Sequence, residues 1–525
     1  MGRGFRNSIL YRNVRHTHTK CDREGVDIIN GGWSTQARYL ISVLDSWLAR
    51  IDPQLAQYAL DRGDLSILEN IIVTRYQPTA PDLIWTWYGP TAVLFLEGLV
   101  DSDRLVTILA GGAQTMPRPP AGTAPPCSRQ WVNILQQVWA GQVAMFTTLA
   151  PGAVLLDLGD PPHRSVGSPK TEQAIRGPQE AFVEEASLKL AQLRGRLPSP
   201  ALHVELHHVG RRIPTRCDLI YLDGVASPDV VTTVRERLAD TLVDTVSNAA
   251  RLGSFLRDHP WALFPTIRYS ERVDWVALQV QSGKVAISVA GDPFVLTVPA
   301  ILADFYRTSE DYTTVWYDAS FIRLIRFLAW GFGVLLPGAY IALTEVNPDL
   351  ISPTLFDIVS GSHTGLPFTP FVEVVVMILV IEVLREAALR LPKVLAGTIG
   401  TLGAIVVGTA VVKAGFVSPQ IIVLMTFTAL SLFSVPSYEL LATWRLVSWA
   451  MLLGAFLLGV YGMVLVTVLL VAELVSLSSL GTPYLVPLSP WRPKDWANAL
   501  WRVPWRTLRR RLTEGRPVDL RWTEE

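Results

Sequence analysis

The sequence has few cysteines and few charged residues, and both shortages narrow what the protein can be. Only three of its 525 residues are cysteine (Cys21, Cys127 and Cys217), which excludes a disulfide-stapled scaffold. None has the CxxC spacing of a structural zinc site. Charged residues make up 18% of the chain, and 46 Lys and Arg balance 46 Asp and Glu. This balance argues against a general nucleic-acid-binding protein, and the low charge argues against a disordered chain.

Motifs of catalytic chemistry are missing as well. The chain contains neither a Walker A sequence nor Gly-x-Ser-x-Gly. His203, His207 and His208 lie on a predicted strand, and the alternation of a strand puts His207 and His208 on opposite faces. These histidines therefore do not form a shared metal site. We expect no enzyme activity, no metal site and no cofactor.

Apolar residues are abundant and unevenly distributed. They make up 50% of the chain, and the mean hydropathy is +0.30. Between Val394 and Trp444 the only charged residues are Lys413 and Glu439. The pattern predicts an α+β protein with a multi-span α-helical membrane domain. The predicted parts are a basic N-terminal arm (1–30), a first α/β subdomain (31–168), a connecting helix (169–200), a second α/β subdomain (201–318), a transmembrane helical domain (319–478) and a basic Trp/Arg-rich tail (479–525).

The soluble half contains an internal duplication. Two segments share one pattern: a buried strand, an acidic residue followed by glycine, and a helix start. They are TAVLFLEGLVDSDRL at 91–105 and RCDLIYLDGVASPDVV at 216–231. A strand–turn–strand pattern follows in each copy, at 139–158 and 281–298. We infer two tandem subdomains with one plan. Between them, the centre of the connecting helix is predicted at 179–193.

Apolar segments of the second half are candidates for membrane spans, which need about 20 apolar residues. They are 321–343, 371–391, 394–415, 419–436 and 446–475. The last would measure about 45 Å as one helix, so we expect a bend or hairpin near 459–462. Arg and Lys are concentrated in the link 384–393 and after residue 491. By the positive-inside rule, the soluble half and the tail are both predicted to be cytoplasmic.

Ionisable residues within apolar helices are costly and often functional. Glu382 and Arg385 share a helix face and are expected to pair. Glu373 is expected to be solvated near the outer interface, and Glu439 to pair with Arg445 or Arg385. We take Glu373, Glu382, Arg385 and Glu439 as candidate structural or gating charges.

The segment 394–415 combines small residues with repeated threonines. Small residues allow close helix packing, and this is one interpretation. The other is a helix that lines a narrow path, with Ile405 as an apolar gate. The candidate pore-lining residues are Thr398, Thr401, Ala404, Ile405 and Gly408.

Several long motifs resemble the A subunits of spore germinant receptors, the GerA family. In the apolar half they are LLPGAYIAL at 335–343, LPFTPFVEVVVMILVIEVLREAALRLPK at 366–393, KAGFVSPQ at 413–420 and SVPSYELL at 434–441. In the soluble half they include PKTEQAIRGPQEAF at 169–182 and GDPFVLTVPA at 291–300. The resemblance covers roughly residues 80–505.

This resemblance implies a multi-pass protein of the spore inner membrane. Its expected partners are a transporter-like B subunit that binds the nutrient, a lipoprotein C subunit and further copies of itself in a ring. The ring would conduct ions when the germinant binds. Two alternatives stay open. One is a stage V sporulation paralogue acting as an accessory ion channel; the other is a secondary transporter, which the lack of an evident membrane repeat disfavours.

Overall fold

The structure, a computed structural model, describes most of residues 55–521. The gaps are 89–90, 112–126, 129, 148–149, 159–166, 175, 364, 391–410, 500 and 508–509. The described chain contains two antiparallel sheets, then a bundle of apolar helices, then a tail that returns to the second sheet. The mixed α and β composition predicted from the sequence is confirmed.

The first sheet has five strands in the order β1-β2-β4-β5-β3, and every neighbouring pair is antiparallel. Helices α1 (55–62) and α2 (Leu65–Ile71) precede it. Its elements are β1 Leu83–Tyr88, β2 Thr91–Leu96, α3 Ser102–Gly111, β3 Cys127–Ser128, α4 Trp131–Trp139, β4 Val143–Thr147 and β5 Ala150–Leu156.

The second sheet repeats the first, strand for strand, in the order β6-β7-β9-β10-β8. Gly98 after β2 and Gly224 after β7 occupy equivalent turns, with φ of +84° and +73°. Positive φ favours glycine, which explains why the acidic residue of each turn is followed by one. The elements are β6 Leu202–Val209, β7 Thr215–Leu222, α6 Pro228–Ala239, α7 Ala249–Leu256, β8 Arg268–Ser270, α8 Val273–Gln281, β9 Val285–Val289 and β10 Val295–Val298.

The connecting helix is shorter than the sequence suggests. The predicted centre began at 179, but α5 spans Ala186–Arg196. The residues before it are extended because their backbone pairs with the second sheet's edge. Ala181 forms a bridge with Arg272, and the Phe182 amide donates to the Glu271 carbonyl at 2.8 Å. These edge contacts override local helix propensity.

Arg194 on α5 ties the two repeats together. Its Nε and Nη2 donate to the two carboxylate oxygens of Asp82 at 2.9 and 3.0 Å, and its Nη1 donates to the Leu202 carbonyl at 2.7 Å. The guanidinium carbon also lies 4.6 Å from the Trp139 ring centroid. One fully buried cation is thus bound by the first repeat, the second repeat and an aromatic face.

The apolar half forms a helical bundle. Its helices are α10 Trp316–Ile341, α11 Pro353–His363, α12 Pro370–Arg390, α13 Val411–Lys413, α14 Pro419–Phe433, α15 Tyr438–Leu458 and α16 Val460–Ser476, with α9 Glu310–Thr313 before them. Among the described residues, two helices are long and apolar enough to cross a membrane: 316–346, which extends α10, and α15. Helices α14 and α16 are shorter, and α12 is rich in charges. The multi-span arrangement therefore stays a prediction.

The segment 446–475 is two helices rather than one. Helix α15 begins earlier, at Tyr438, and the chain reverses at Gly459, which has φ of +61°. Close contacts of Gly454 with Gly462 and of Met451 with Thr467 show that α15 and α16 are antiparallel. The break expected near 459–462 is therefore a hairpin.

The tail folds back onto the second repeat. It begins with the small hairpin β11 Ser478–Ser479 and β12 Thr482–Pro483, and contains α17 Pro493–Ala499. Glu514 accepts two hydrogen bonds from Arg307 at 2.7 and 2.9 Å in a buried environment. The Val518 amide donates to the Val225 carbonyl at 2.9 Å.

We predict that Gly462→Ala destabilises the α15–α16 hairpin. A Cβ atom at Gly462 would lie 1.9 Å from the Gly454 carbonyl oxygen, so the two helices must separate. Overpacking of this kind costs about 1–3 kcal/mol. The melting temperature of the purified protein in detergent should fall. Gly331→Ala on α10 is the matched control, because no atom of the described residues lies within 4 Å of its added Cβ. An equal fall in both variants would contradict the argument.

Candidate functional site

The bundle has two ends that differ in what they contact. At one end, Thr443 and Glu473 bind the backbone of the second repeat, and we call this the repeat-facing end. At the other, the Asn347 side chain accepts a hydrogen bond from the Val460 amide at the hairpin tip, at 3.0 Å. We call this the far end. Both ends carry buried polar groups, which are the candidate functional residues.

Near the repeat-facing end, Glu382 binds two arginines. Arg385, one turn along α12, donates from Nη1 to Glu382 Oε1 at 3.0 Å, so the expected pair is present. Arg445 on α15 donates from Nε to the same oxygen at 2.9 Å and from Nη2 to Oε2. The Arg385 guanidinium also lies 5.3 Å from the Phe433 ring centroid. This arginine–glutamate–arginine cluster links α12, α14 and α15.

Glu439 is not part of this cluster. The sequence suggested Arg445 or Arg385 as its partner, but Arg445 lies against Glu382 instead. Glu439 accepts a hydrogen bond from the Ser437 hydroxyl at 2.8 Å. Ser437 caps α15, so Glu439 lies in the first helical turn, where a negative charge is favourable. This placement gives Glu439 a local, helix-starting role.

Glu373 at the far end is buried, which corrects the expectation that it is solvated. Its side chain is 0% exposed. Oε1 lies 2.9 Å from His363 Nδ1, and Oε2 accepts the Ser418 amide at 2.7 Å, at the start of α14. The Tyr340 hydroxyl lies 2.9 Å from His363 Nε2. These distances fit Nδ1–H donating to Glu373 while Nε2 accepts from Tyr340.

This far-end network joins four helices: α10, α11, α12 and α14. Its burial follows from α11, which brings His363 against Glu373 and shields the carboxylate from water. Sequence reasoning missed His363 because a single histidine in a loop-rich segment carries no periodic signal. The candidate pore-lining residues Thr398, Thr401, Ala404, Ile405 and Gly408 lie outside the described residues. Within the part of the chain that is described, no group of three or more His, Cys, Asp or Glu is placed to hold a metal ion.

The repeat and the bundle share one core, which we call the joint. Phe264 of the second repeat packs between the start of α15 and the final turns of α16, and the backbone of its exposed neighbour Leu263 is bonded to both helices. The Leu263 amide donates to Glu473 Oε1 at 3.0 Å, and its carbonyl accepts from the Thr443 hydroxyl at 2.9 Å. Phe264 packs on Trp444 with ring centroids 5.1 Å apart, and Trp444 packs on Trp330 at 4.3 Å. Both Phe264 and Trp444 are fully buried.

The amino-acid sequence matches one known protein family. The family described as Bacillus/Clostridium GerA spore germination protein matches residues 126–514. The chain belongs to the GerA family. The matched region contains the second repeat, the joint and both polar clusters.

Individual members of the GerA family match most of the chain. Spore germination protein B1 of Bacillus subtilis is 34% identical over 74% of this chain and 80% of its own length. Spore germination protein GerQA of Bacillus cereus is 35% identical over 67% of this chain and 70% of its own length. Stage V sporulation protein AF of Bacillus subtilis is 31% identical over 71% and 74%, respectively.

We predict that Glu373→Ala destabilises this GerA-family protein. The substitution leaves the Ser418 amide and His363 without their buried acceptor, which costs about 1–3 kcal/mol. Thermal unfolding in detergent should shift to lower temperature. Asp357→Ala, at an exposed position of α11, should leave unfolding unchanged. Equal stability of the Glu373→Ala variant and the unchanged protein would show that the network contributes nothing.

Proposed function

We propose that this chain is the A subunit of a spore germinant receptor in the spore inner membrane. Several copies form a ring with an ion path, and a transporter-like B subunit that binds the nutrient opens it, together with a lipoprotein C subunit. Membership of the GerA family and similarity to spore germination proteins support this assignment. The two long apolar helices support a membrane location.

The joint is the observation that carries the coupling part of the proposal. Because Leu263 is hydrogen-bonded to both α15 and α16, a displacement of the second repeat pulls on both arms of the hairpin. The aromatic contacts of Phe264, Trp444 and Trp330 extend this connection to α10. A packed core transmits such a displacement rather than absorbing it. A partner that moves the soluble half therefore has a mechanical route to the bundle.

The ends of the helices support one membrane orientation. Three helix ends lie beside the second repeat or its flanking loops: the start of α10, where Arg323 pairs with Asp311, the start of α15 and the end of α16. The tail packs on that same repeat. We propose that the soluble half and the tail are both cytoplasmic, and that the far end, with Glu373, faces the opposite side.

We predict that Thr443→Val weakens coupling. Valine keeps the shape of threonine but loses the hydrogen bond to the Leu263 carbonyl, worth about 0.5–1.5 kcal/mol. Spores with this variant should release ions more slowly after germinant addition, measured by conductivity, at an unchanged amount of the protein. Thr426→Val is the matched control, since among the described residues the Thr426 hydroxyl donates to the Ile422 carbonyl of its own helix. Equal release rates in the two variants would contradict the coupling role.

The ion path is proposed to follow 394–415, with Thr398, Thr401, Ala404, Ile405 and Gly408 beside it and Ile405 as the gate. An apolar constriction closes a pore by excluding water. Replacing Thr401 or Ile405 by a larger or more polar residue should give leaky or unresponsive spores. The same changes at Leu430, which is exposed on α14, should have little effect. If the changes on α14 altered ion release and those in 394–415 did not, the ion path would not follow 394–415.

The stage V paralogue is the second candidate. Its support is the 31% identity to stage V sporulation protein AF, close to the values for the spore germination proteins. Neighbouring genes distinguish the two assignments. Genes for a B and a C subunit beside this one support the receptor, whereas their absence together with adjacent stage V genes supports the paralogue.

A further inference from the structure

The loop 257–263 of the second repeat carries a tryptophan whose ring stands clear of the protein. Trp261 is 98% exposed, the highest fraction of any large apolar side chain among the described residues. Tryptophan is highly buried on average, because its ring is large and mostly apolar. Such a ring is stabilised by any apolar surroundings that its position offers.

The loop is fixed to the bundle on both sides of Trp261. Two residues later, the Leu263 backbone is hydrogen-bonded to both α15 and α16. Three residues earlier, Asp258 Oδ2 accepts a hydrogen bond at 3.0 Å from the hydroxyl of Ser478, which follows α16. Two residues of chain span at most about 7 Å, so the Cα atom of Trp261 lies within that distance of the Leu263 Cα atom.

Helix length gives the depth of this attachment in a membrane. Helix α15 has 21 residues and is about 31 Å long, close to the ~30 Å of a hydrocarbon core. In the orientation proposed above, it spans this core from Tyr438 on the cytoplasmic side to Leu458 at the far end. Thr443, which binds Leu263, comes five residues, or about 7.5 Å, after Tyr438. Leu263 is therefore held at the cytoplasmic boundary of the core.

The bundle shields Phe264 at this level but leaves Trp261 uncovered. Phe264 is fully buried between the helices, whereas Trp261 is on the outside. A side chain at the boundary of the hydrocarbon core that no helix covers faces lipid. Tryptophan suits this level, because its ring packs on acyl chains while its indole N–H bonds to water or headgroups.

We propose that the loop 257–263 inserts Trp261 into the headgroup region of the cytoplasmic leaflet. The inference rests on the membrane location in the proposed function and adds a contact to it: lipid holds the second repeat at the membrane surface, beside the joint. The lipid interface is the occupant because the loop is continuous with the repeat-facing end of the hairpin, whose outer surface is lipid-facing in that location. A partner protein or a second copy would cover the ring with protein instead.

The test attaches an environment-sensitive dye to the loop in the full-length protein, reconstituted in vesicles of phosphatidylethanolamine and phosphatidylglycerol. Trp261→Cys carries the dye in a chain with Cys21→Ser and Cys127→Ser, while the buried Cys217 is kept. Replacing a side chain that is almost fully exposed leaves the packing of the fold unchanged. The emission should be blue-shifted. Lipids with a spin label near the headgroup should quench it more than lipids labelled near the end of the acyl chain.

Two matched variants set the scale for water and for lipid. Ile213→Cys is 64% exposed in the turn before β7. Because β7 runs from this turn toward the side of the sheet that meets the bundle, the dye at 213 should stay in water. Val468→Cys is exposed at the middle of α16, so lipids labelled near the end of the acyl chain should quench its dye most.

Quenching at 468 without quenching at 261 would overturn the insertion of the loop and leave the membrane location intact. A blue shift at 261 without quenching by lipid would also overturn it, because protein would then cover the ring. Equal quenching at 261 and 213 would show that the response is not specific to the loop, with the same consequence. The absence of quenching at 468 would contradict the membrane location itself, and the insertion with it.

Discussion

The packing of Phe264 against the helical hairpin, beside the backbone contacts of Leu263, is the interaction on which the architecture depends. Phe264 and Trp444 are each fully buried, and burying a side chain of this size contributes about 1.5–3 kcal/mol. The hydrogen bonds to Thr443 and Glu473 then fix the direction of entry. The buried apolar side chains hold the second repeat against the bundle, and the hydrogen bonds fix its orientation.

The hairpin itself depends on glycine. Helices α15 and α16 approach closely because Gly454 and Gly462 face each other, and the chain reverses at Gly459 because that residue adopts positive φ. Without the reversal at Gly459, the chain after α15 would continue away from the second repeat at the far end of the bundle. The reversal instead returns it to the second repeat, where β11 and β12 continue the contact through the Ser479 hydroxyl and the Thr266 carbonyl.

The sequence predicts the periodic parts of this protein well. Strand alternation and the paired acidic-glycine turns locate most strands of both sheets, but not β1, β3 or β8. Apolar runs locate α10, α12, α14 and the α15–α16 hairpin, but not α11. The failures concern contacts between distant segments. The connecting helix starts late because Ala181 and Phe182 pair with the edge of a sheet about 90 residues away. Glu373 is buried because His363 packs over it. Arg445 on α15 binds Glu382 on α12, which lies 63 residues earlier in the chain. None of these partners is visible in local spacing.

The corner between α14 and α15 is where the soluble half and the charged cluster meet. Phe433, at the end of α14, lies under the Arg385 guanidinium of the cluster. Arg445 on α15 binds Glu382, and the residue before it, Trp444, packs against Phe264 of the joint. A displacement of Phe264 therefore reaches Glu382 through adjacent residues of one helix. Since the arginines on either side of Glu382 belong to different helices, any shear of α15 against α12 must stretch the Arg445 contact while leaving the Arg385 contact intact. The cluster thus combines one contact within α12 and one contact between α12 and α15, and only the second depends on how the two helices are placed.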